Sequence, residues 1–302
     1  MAESLIPEAV KRPPFATYDI VVYFGAGLFS IPFLNRYLVQ PFNLKWPNFE
    51  IEMGSPIAKE AVSILSMLFF IYIVGHIVAY VSSHLIEKSV DRALGKISTA
   101  ILLSSQTTSS NRNTVIRALI YNRLTNIRRE GAIFSTTVRF FAHLPLIPMY
   151  ILMFWIGTFG YYNTRTTPAV IDAVRAKIGS VGVGHVDVSL KSKWYKILEY
   201  YVINRRPAAT DRMYNYLVIS GLFRSLSLIF LFSVWMCLYY IIHFEFDKDW
   251  FLKPALSATM PHVGVVELVI LSFIYMFCLF SYIKFQRRYA EEAIFAFVFG
   301  ED

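Results

Sequence analysis

Tyr72, His76, Ser83 and Glu87 follow one another at steps of four, seven and four, so on a helix they share one face. They lie in, or just past, a stretch that is otherwise apolar from 61 to 83. Polar groups at such a place must turn to protein or water, because hydrocarbon offers them no hydrogen-bond partner. An ionisable residue there is costly enough to mark a cavity lining, an ion or proton path, or a helix–helix contact. Arg224, two turns into a later apolar stretch, poses the same problem with a full charge. Glu87 is its expected partner, and snorkelling of the guanidinium to the interface is the alternative.

Nucleophilic and metal chemistry find little to work with. Ser83 and His84 are adjacent, and successive helical side chains diverge by about 100°, which predicts that they do not form a nucleophile and base pair. No HExxH or GxSxG pattern occurs. Gly179, Gly182 and Gly184 are followed by His185 where a phosphate loop needs Lys and then Ser or Thr, so the alternating stretch Val186, Val188, Leu190 reads as a turn-rich hairpin arm. Cys237 and Cys278 sit near opposite ends of consecutive apolar stretches, too far apart in depth for a disulfide. His84, Glu87 and Asp91 are the only compact set a lipid-modifying enzyme could use. No catalytic residue, metal ligand or cofactor is assigned.

These residues must be positioned by membrane helices. The chain is 56% hydrophobic and 17% charged, against about 45–50% and about 25% in soluble domains. Windows 22–38, 61–83, 140–162, 217–243 and 263–283 each approach the about 20 apolar residues that carry a helix across a hydrocarbon core. What remains is too little for a large independent catalytic domain. Segment 1–17 has acidic residues and three prolines and no apolar core behind a basic start, which argues against a cleaved signal peptide.

Basic residues orient the windows. Segment 84–138 carries eight basic residues against three acidic, and 163–216 carries nine against four. Both should face the cytoplasm. Loops 39–60 and 244–262 carry more acid than base and read as external. Window 140–162 lies between the two basic segments, so a single crossing there would export one of them. Pro145 and Pro148 near its start, with Gly157 and Gly160 at its end, favour a re-entrant or interfacial segment. A fifth span with one basic segment translocated is the alternative.

The fold expected is therefore an all-α integral membrane protein: four transmembrane helices, a re-entrant or interfacial (or fifth spanning) segment at 140–162, and a small basic cytoplasmic module. Its parts are a cytoplasmic N-terminus (1–17), a transmembrane hairpin (18–83), a basic cytoplasmic region (84–216) interrupted at 140–162, a second hairpin (217–283) and a cytoplasmic tail (284–302). Both termini lie inside, and the membrane is the cytoplasmic (inner) one. Tyr18, Tyr23, Trp46, Tyr161, Tyr162, Trp250, Phe251 and Tyr289 flank the windows as interface anchors would.

Within the basic region, Ile116, Leu119, Ile120 and Ile127 fall on one helical face, with Arg117, Arg128 and Arg129 away from it and Arg123 breaking the pattern. A basic helix of this kind can lie on anionic headgroups, each basic residue contributing about 1 kcal/mol. A helix packed on its neighbour with a solvated basic face is the alternative. Lys191, Lys193, Lys196, Arg205 and Arg206 make a second basic set. Trp194, Tyr195, Tyr200 and Tyr201 among them could stack on bases or form the core of a small helical module. Anionic lipid, a second copy of the chain, a cytosolic protein or a nucleic acid are the partners these sets would take.

Gly75, His76, Ser82, Ser83, Ile86, Glu87 and Lys88 resemble a motif of uncharacterised bacterial multi-pass membrane proteins. Arg224 to Ser227 and the run Arg287, Arg288, Tyr289, Glu291, Glu292, Ala293 are similar to that family too. The resemblance covers the second window and the C-terminal third, implies a multi-pass membrane fold and brings no activity. From the polar face, the small soluble mass and the missing catalytic patterns, we expect an oligomeric pore-like or membrane-perturbing effector controlled through its basic loops. A membrane anchor or scaffold that recruits a soluble partner is the other reading.

Overall fold

The computed structural model describes residues 17–42, 44–45, 56–94, 146–158, 167–180, 191–246 and 264–300. Among them every regular element is helical and there is no strand. Eight α-helices are described: α1 (Gly25–Leu34), α2 (Pro56–Ser82), α3 (Lys88–Leu94), α4 (Ile147–Thr158), α5 (Pro168–Ser180), α6 (Lys191–Arg205), α7 (Pro207–Phe246) and α8 (Val265–Phe299). Three of these stretches, Pro56–Asp91, Pro207–Ile242 and Val265–Phe299, are long and apolar enough to cross a membrane.

The first window is helical as well, but irregular. α1 is flanked by π-helical turns at Asp19–Phe24 and Asn35–Val39, and Pro32 lies inside it. A proline there offers no N–H to the preceding turn, one of the recognised reasons for a local change of helical pitch. A third π turn, Ser83–Glu87, joins α2 to α3. π turns are rare and cluster at functional sites, and hydropathy alone gives no sign of them.

Window 140–162 contributes α4, whose 12 described residues run from Ile147 to Thr158. Residues on both sides of it, Pro145 included, lie outside the described set. Pro148 is its second residue, where a missing N–H costs the helix nothing.

The chain divides into two compact units, one built from 14–86 and 221–282, the other from 87–220 and 283–302 together with the first residues of the chain. In the first unit, α1 and its flanking turns pack along α2. Gly27 and Gly75 sit where the two backbones meet: a Cβ on Gly27 would overlap the Ile71 carbonyl, and one on Gly75 would overlap the Tyr23 carbonyl. Around them Ala26, Ser30, Ala79 and Ser82 are buried, a small-residue seam of the kind that lets membrane helices approach closely. Over its apolar window α7 is 56% buried and α2 only 11%. α7 is thus the more enclosed of the two, and α2 turns Ile64, Leu65, Phe69, Ile73 and Ile77 outward.

In the second unit, Arg206 alone separates α6 from α7, and both helices carry residues that pack on the end of α8. Tyr201 packs edge-on against Phe297 at 5.2 Å and Tyr216 stacks with Phe285 at 6.3 Å. Residues 284–299, expected as a tail, continue α8 and bury Ala290, Ala293, Ile294 and Phe297. The four-residue spacing of buried positions, not their average hydropathy, is what keeps this segment helical and packed. Tyr150 of α4 donates to Ser89 of α3 at 3.4 Å.

Candidate functional site

A polar cluster forms inside the first unit where three helical segments meet. The π turn Asp19–Phe24 and the residue before it supply Tyr18, Asp19 and Tyr23; α2 supplies Tyr72 and His76; α7 supplies Gly221 and Arg224. The His76 imidazole stacks on the Tyr23 ring at 3.7 Å and 23°, and Tyr72 closes on His76 edge-on at 4.6 Å and on Tyr23 at 6.1 Å. Tyr18 packs edge-on against Tyr23 at 5.4 Å. A Cβ at Gly221 would lie 3.0 Å from the Tyr18 hydroxyl, so the absence of a side chain there lets α7 accept the phenol. The hydroxyl of Tyr23 lies within electrostatic reach of Tyr18, Asp19, Tyr72 and Arg224. Tyr72, His76 and Arg224 are therefore brought into one neighbourhood, with Tyr23 at its centre.

Tyr23 was expected as an interface anchor. Its part-buried ring stacks on His76, beside the close approach of the two backbones at Gly27 and Gly75. An aromatic ring against an imidazole holds it in place at a cost far below that of burying it alone.

Ser83 does not join this cluster in the described contacts. The Ser83 hydroxyl donates to the Tyr80 carbonyl of its own helix at 2.8 Å. Ser83 Oγ lies 3.3 Å from His84 Nδ1, closer than the angular divergence of neighbouring side chains suggests. Both side chains curl back on the same acceptor, Nδ1 lying 3.1 Å from the Tyr80 carbonyl oxygen. A short polar side chain bonding the preceding turn overrides the angular divergence of neighbours. With the hydroxyl proton on that carbonyl and Nδ1 beside the same oxygen, the pair is not arranged as nucleophile and base.

Hydroxyls line the remaining interior. Ser82 Oγ donates to Ala79 O at 2.9 Å and Ser225 Oγ to Gly221 O at 3.1 Å, and the two oxygens meet across α2 and α7 at 3.5 Å. Ser30 and Ser233 likewise satisfy themselves on their own helices. Such bonds let small polar groups lie in an apolar interior without demanding water.

At the opposite end of the same helices stands a second cluster that sequence reasoning missed. Arg36 Nη2 meets Glu267 Oε2 at 2.7 Å, the Tyr37 hydroxyl donates to Glu267 Oε1 at 2.6 Å, and the Tyr240 hydroxyl donates to the Tyr37 carbonyl at 2.8 Å. Both carboxylate oxygens of Glu267 are held by the end of the first helix. The signal was present in the sequence as one acid and one base, each at a window boundary, but 231 residues separate them.

The basic set of the second unit divides. Lys196 and Arg205 are exposed on α6, beside Tyr200, which is 73% exposed. Arg206 is committed elsewhere: its Nη2 donates to the Gly300 carbonyl at 2.7 Å, a cation closing the C-terminal end of α8. The Lys177 ammonium stands 5.8 Å from the Phe297 ring centre. Tyr195 is buried and Tyr201 packs on Phe297, so these two aromatics serve the helical core. Burial pushes the Tyr195 hydroxyl well above its ordinary value, with Tyr289 and Glu199 adding to the effect. Tyr289 donates to Glu199, Arg212 pairs with Glu292 at 2.7 Å, and Arg287 pairs with Glu291 at 2.7 Å. Lys191 and Lys193 begin α6 with their side chains outside the described set, as Arg117, Arg123, Arg128, Arg129 and the Val186–Leu190 stretch are altogether.

With every regular element among the described residues helical, and three of these helices long and apolar enough to cross a membrane, the chain has the build of a membrane protein. Compared with known proteins, it matches no family model, no curated protein and no solved structure.

Proposed function

We propose that this is a multi-pass protein of the cytoplasmic (inner) membrane that assembles with further copies of itself into a pore-like or membrane-perturbing effector. Four spans, with 140–162 as a re-entrant, interfacial or fifth spanning segment, place both termini and the basic regions in the cytoplasm. Anionic lipid or a cytosolic protein acts on those regions to control the assembly. The observation that carries this reading is the cluster of Tyr23, Tyr72, His76 and Arg224 held among apolar helices. A charge and an imidazole kept at such a place are expensive unless a pathway or a moving helix contact uses them. The outward apolar face of α2 offers lipid or a second copy the contact area an assembly needs. The resemblance to uncharacterised bacterial multi-pass membrane proteins accords with this and adds no activity.

Ion efflux from liposomes of anionic and zwitterionic lipid carrying the purified protein is the test. Wild type should leak and His76→Ala should change the rate by about tenfold or more, the scale of one lost interaction of about 1.4 kcal/mol. Absence of leak in both lipids, with intact protein in the bilayer, would refute the pore.

A membrane anchor that recruits a soluble protein or nucleic acid is the second reading. Exposed Lys196, Tyr200, Ile203 and Arg205 on α6 favour it, a basic and aromatic set of the kind found on partner-binding surfaces. Retained binding of a partner by His76→Ala in a protein that never leaks would select it.

A further inference from the structure

The cluster of Arg36, Tyr37, Tyr240 and Glu267 ties three helical segments that are far apart in sequence. Glu267 begins α8, Tyr240 lies near the end of α7, and Arg36 and Tyr37 stand in the π turn that ends the first helix. The carboxylate takes a charged hydrogen bond from Arg36 at 2.7 Å and a phenolic one from Tyr37 at 2.6 Å. Tyr240 then fixes the backbone of Tyr37 through its carbonyl at 2.8 Å, and the two phenol rings lie nearly parallel, 6.3 Å between centres. Arg36 caps the stack at 5.9 Å from the Tyr37 ring. Tyr37 and Tyr240 are buried, whereas the Arg36 and Glu267 side chains keep 46% and 27% exposure.

This mixture has a mechanical consequence. A wholly buried ion pair would be locked in by the cost of leaving one charge behind. A wholly exposed one would hold nothing. Here the polar half is partly exposed and can be hydrated when it parts, while the phenols behind it are buried. One turn before Tyr240, the Cys237 thiol is fully buried and lies within the electrostatic reach of both Glu267 and Arg36. Cys278, on α8 about three turns beyond Glu267, is also buried and free.

We propose that Arg36, Tyr37, Tyr240 and Glu267 form a latch that closes this end of the 14–86 and 221–282 unit, and that parting of the Arg36–Glu267 pair opens it far enough to admit solvent to Cys237. The latch is a conformational device and does not depend on the pore reading, since it would serve an anchor equally well. Its release loosens the end of the first helix from α8, because one carboxylate holds both Arg36 and Tyr37, and leaves the Tyr240 hydroxyl on the Tyr37 carbonyl as a remaining tie to α7.

The two native thiols make the test site-resolved. Full-length protein in detergent micelles and in liposomes is treated with a small maleimide, and labelling at each cysteine is timed by peptide mass spectrometry. Glu267→Ala and Arg36→Gln should speed labelling at Cys237 by about tenfold, the effect of losing one charge-assisted hydrogen bond, and leave Cys278 unchanged. Exchanging the charges, Arg36→Glu with Glu267→Arg, should return Cys237 toward the wild-type rate. Unchanged labelling of Cys237 in both single variants would overturn the latch. Equal acceleration at both cysteines would overturn it too, since the residues would then hold the whole unit together and gate nothing.

Discussion

Substituting Gly75 by Ala should destabilise the protein, although the same change in an isolated helix would help it. Alanine is favoured over glycine in helix interiors by about 0.8–1.0 kcal/mol. At Gly75 the added carbon would coincide with the Tyr23 carbonyl, 2.6 Å from its carbon and 2.9 Å from the Gly27 nitrogen. None of these atoms is the movable tip of a side chain, so the first helix itself must back away. That loosens the His76–Tyr23 stack and the seam of Ala26, Ser30, Ala79 and Ser82. Overpacking against movable neighbours costs about 1–3 kcal/mol; rigid backbone on the far side places this case at the upper end. Net of the propensity gain, a loss of about 2 kcal/mol is expected, or about thirtyfold in the folded ratio. Thermal unfolding in detergent, followed by tryptophan emission, should show a lower midpoint. Gly27→Ala should do the same, and the double variant should cost less than the two singles together, because they break one contact. Gly264→Ala is the control, since a Cβ there meets nothing within 4 Å. A Gly75→Ala protein as stable as wild type would refute the close helix contact and the placement of Tyr23 that depends on it.

Arg206→Gln should free the end of α8 from its cation cap at Gly300, costing about 1–2 kcal/mol locally; faster amide exchange at 296–300 would register it, and unchanged exchange would contradict the cap. Tyr195 gives a prediction in pH. Its hydroxyl ionises less readily folded than at the ordinary value of 10.0, because burial opposes the phenolate. Its contribution to stability is therefore complete below about pH 10 and lost above it, at up to about 1.4 kcal/mol per pH unit. Tyr195→Phe should flatten the alkaline limb of a denaturation midpoint measured from pH 9 to 11. It should not weaken the protein at neutral pH, since the buried hydroxyl has no hydrogen-bond partner among the described residues to lose.

The sequence alone determined the helical class and most of the helix positions, because an apolar run near twenty residues long has few other ways to satisfy its backbone. It also marked Tyr72, His76 and Arg224 as residues to explain, since polar groups among apolar neighbours are conspicuous at any level of structure. Tertiary structure decided what they meet. Tyr23 reads as a boundary aromatic along the chain; that its ring also stacks on His76, beside the close approach of Gly27 and Gly75, depends on which helices meet. The step pattern that aligned Ser83 with His76 assumed a regular helix face. Ser83 instead satisfies itself on Tyr80, in a π turn whose hydrogen-bond pattern leaves no mark on hydropathy. Arg206, indistinguishable in sequence from its exposed neighbour Arg205, closes the end of α8. The Arg36–Glu267 pair could be found only once folding had brought the two ends together. Charge and hydropathy are properties of a residue and its near neighbours and can be read along the chain. Close approach, capping and long-range pairing depend on which helices meet, and these were settled only by the packing.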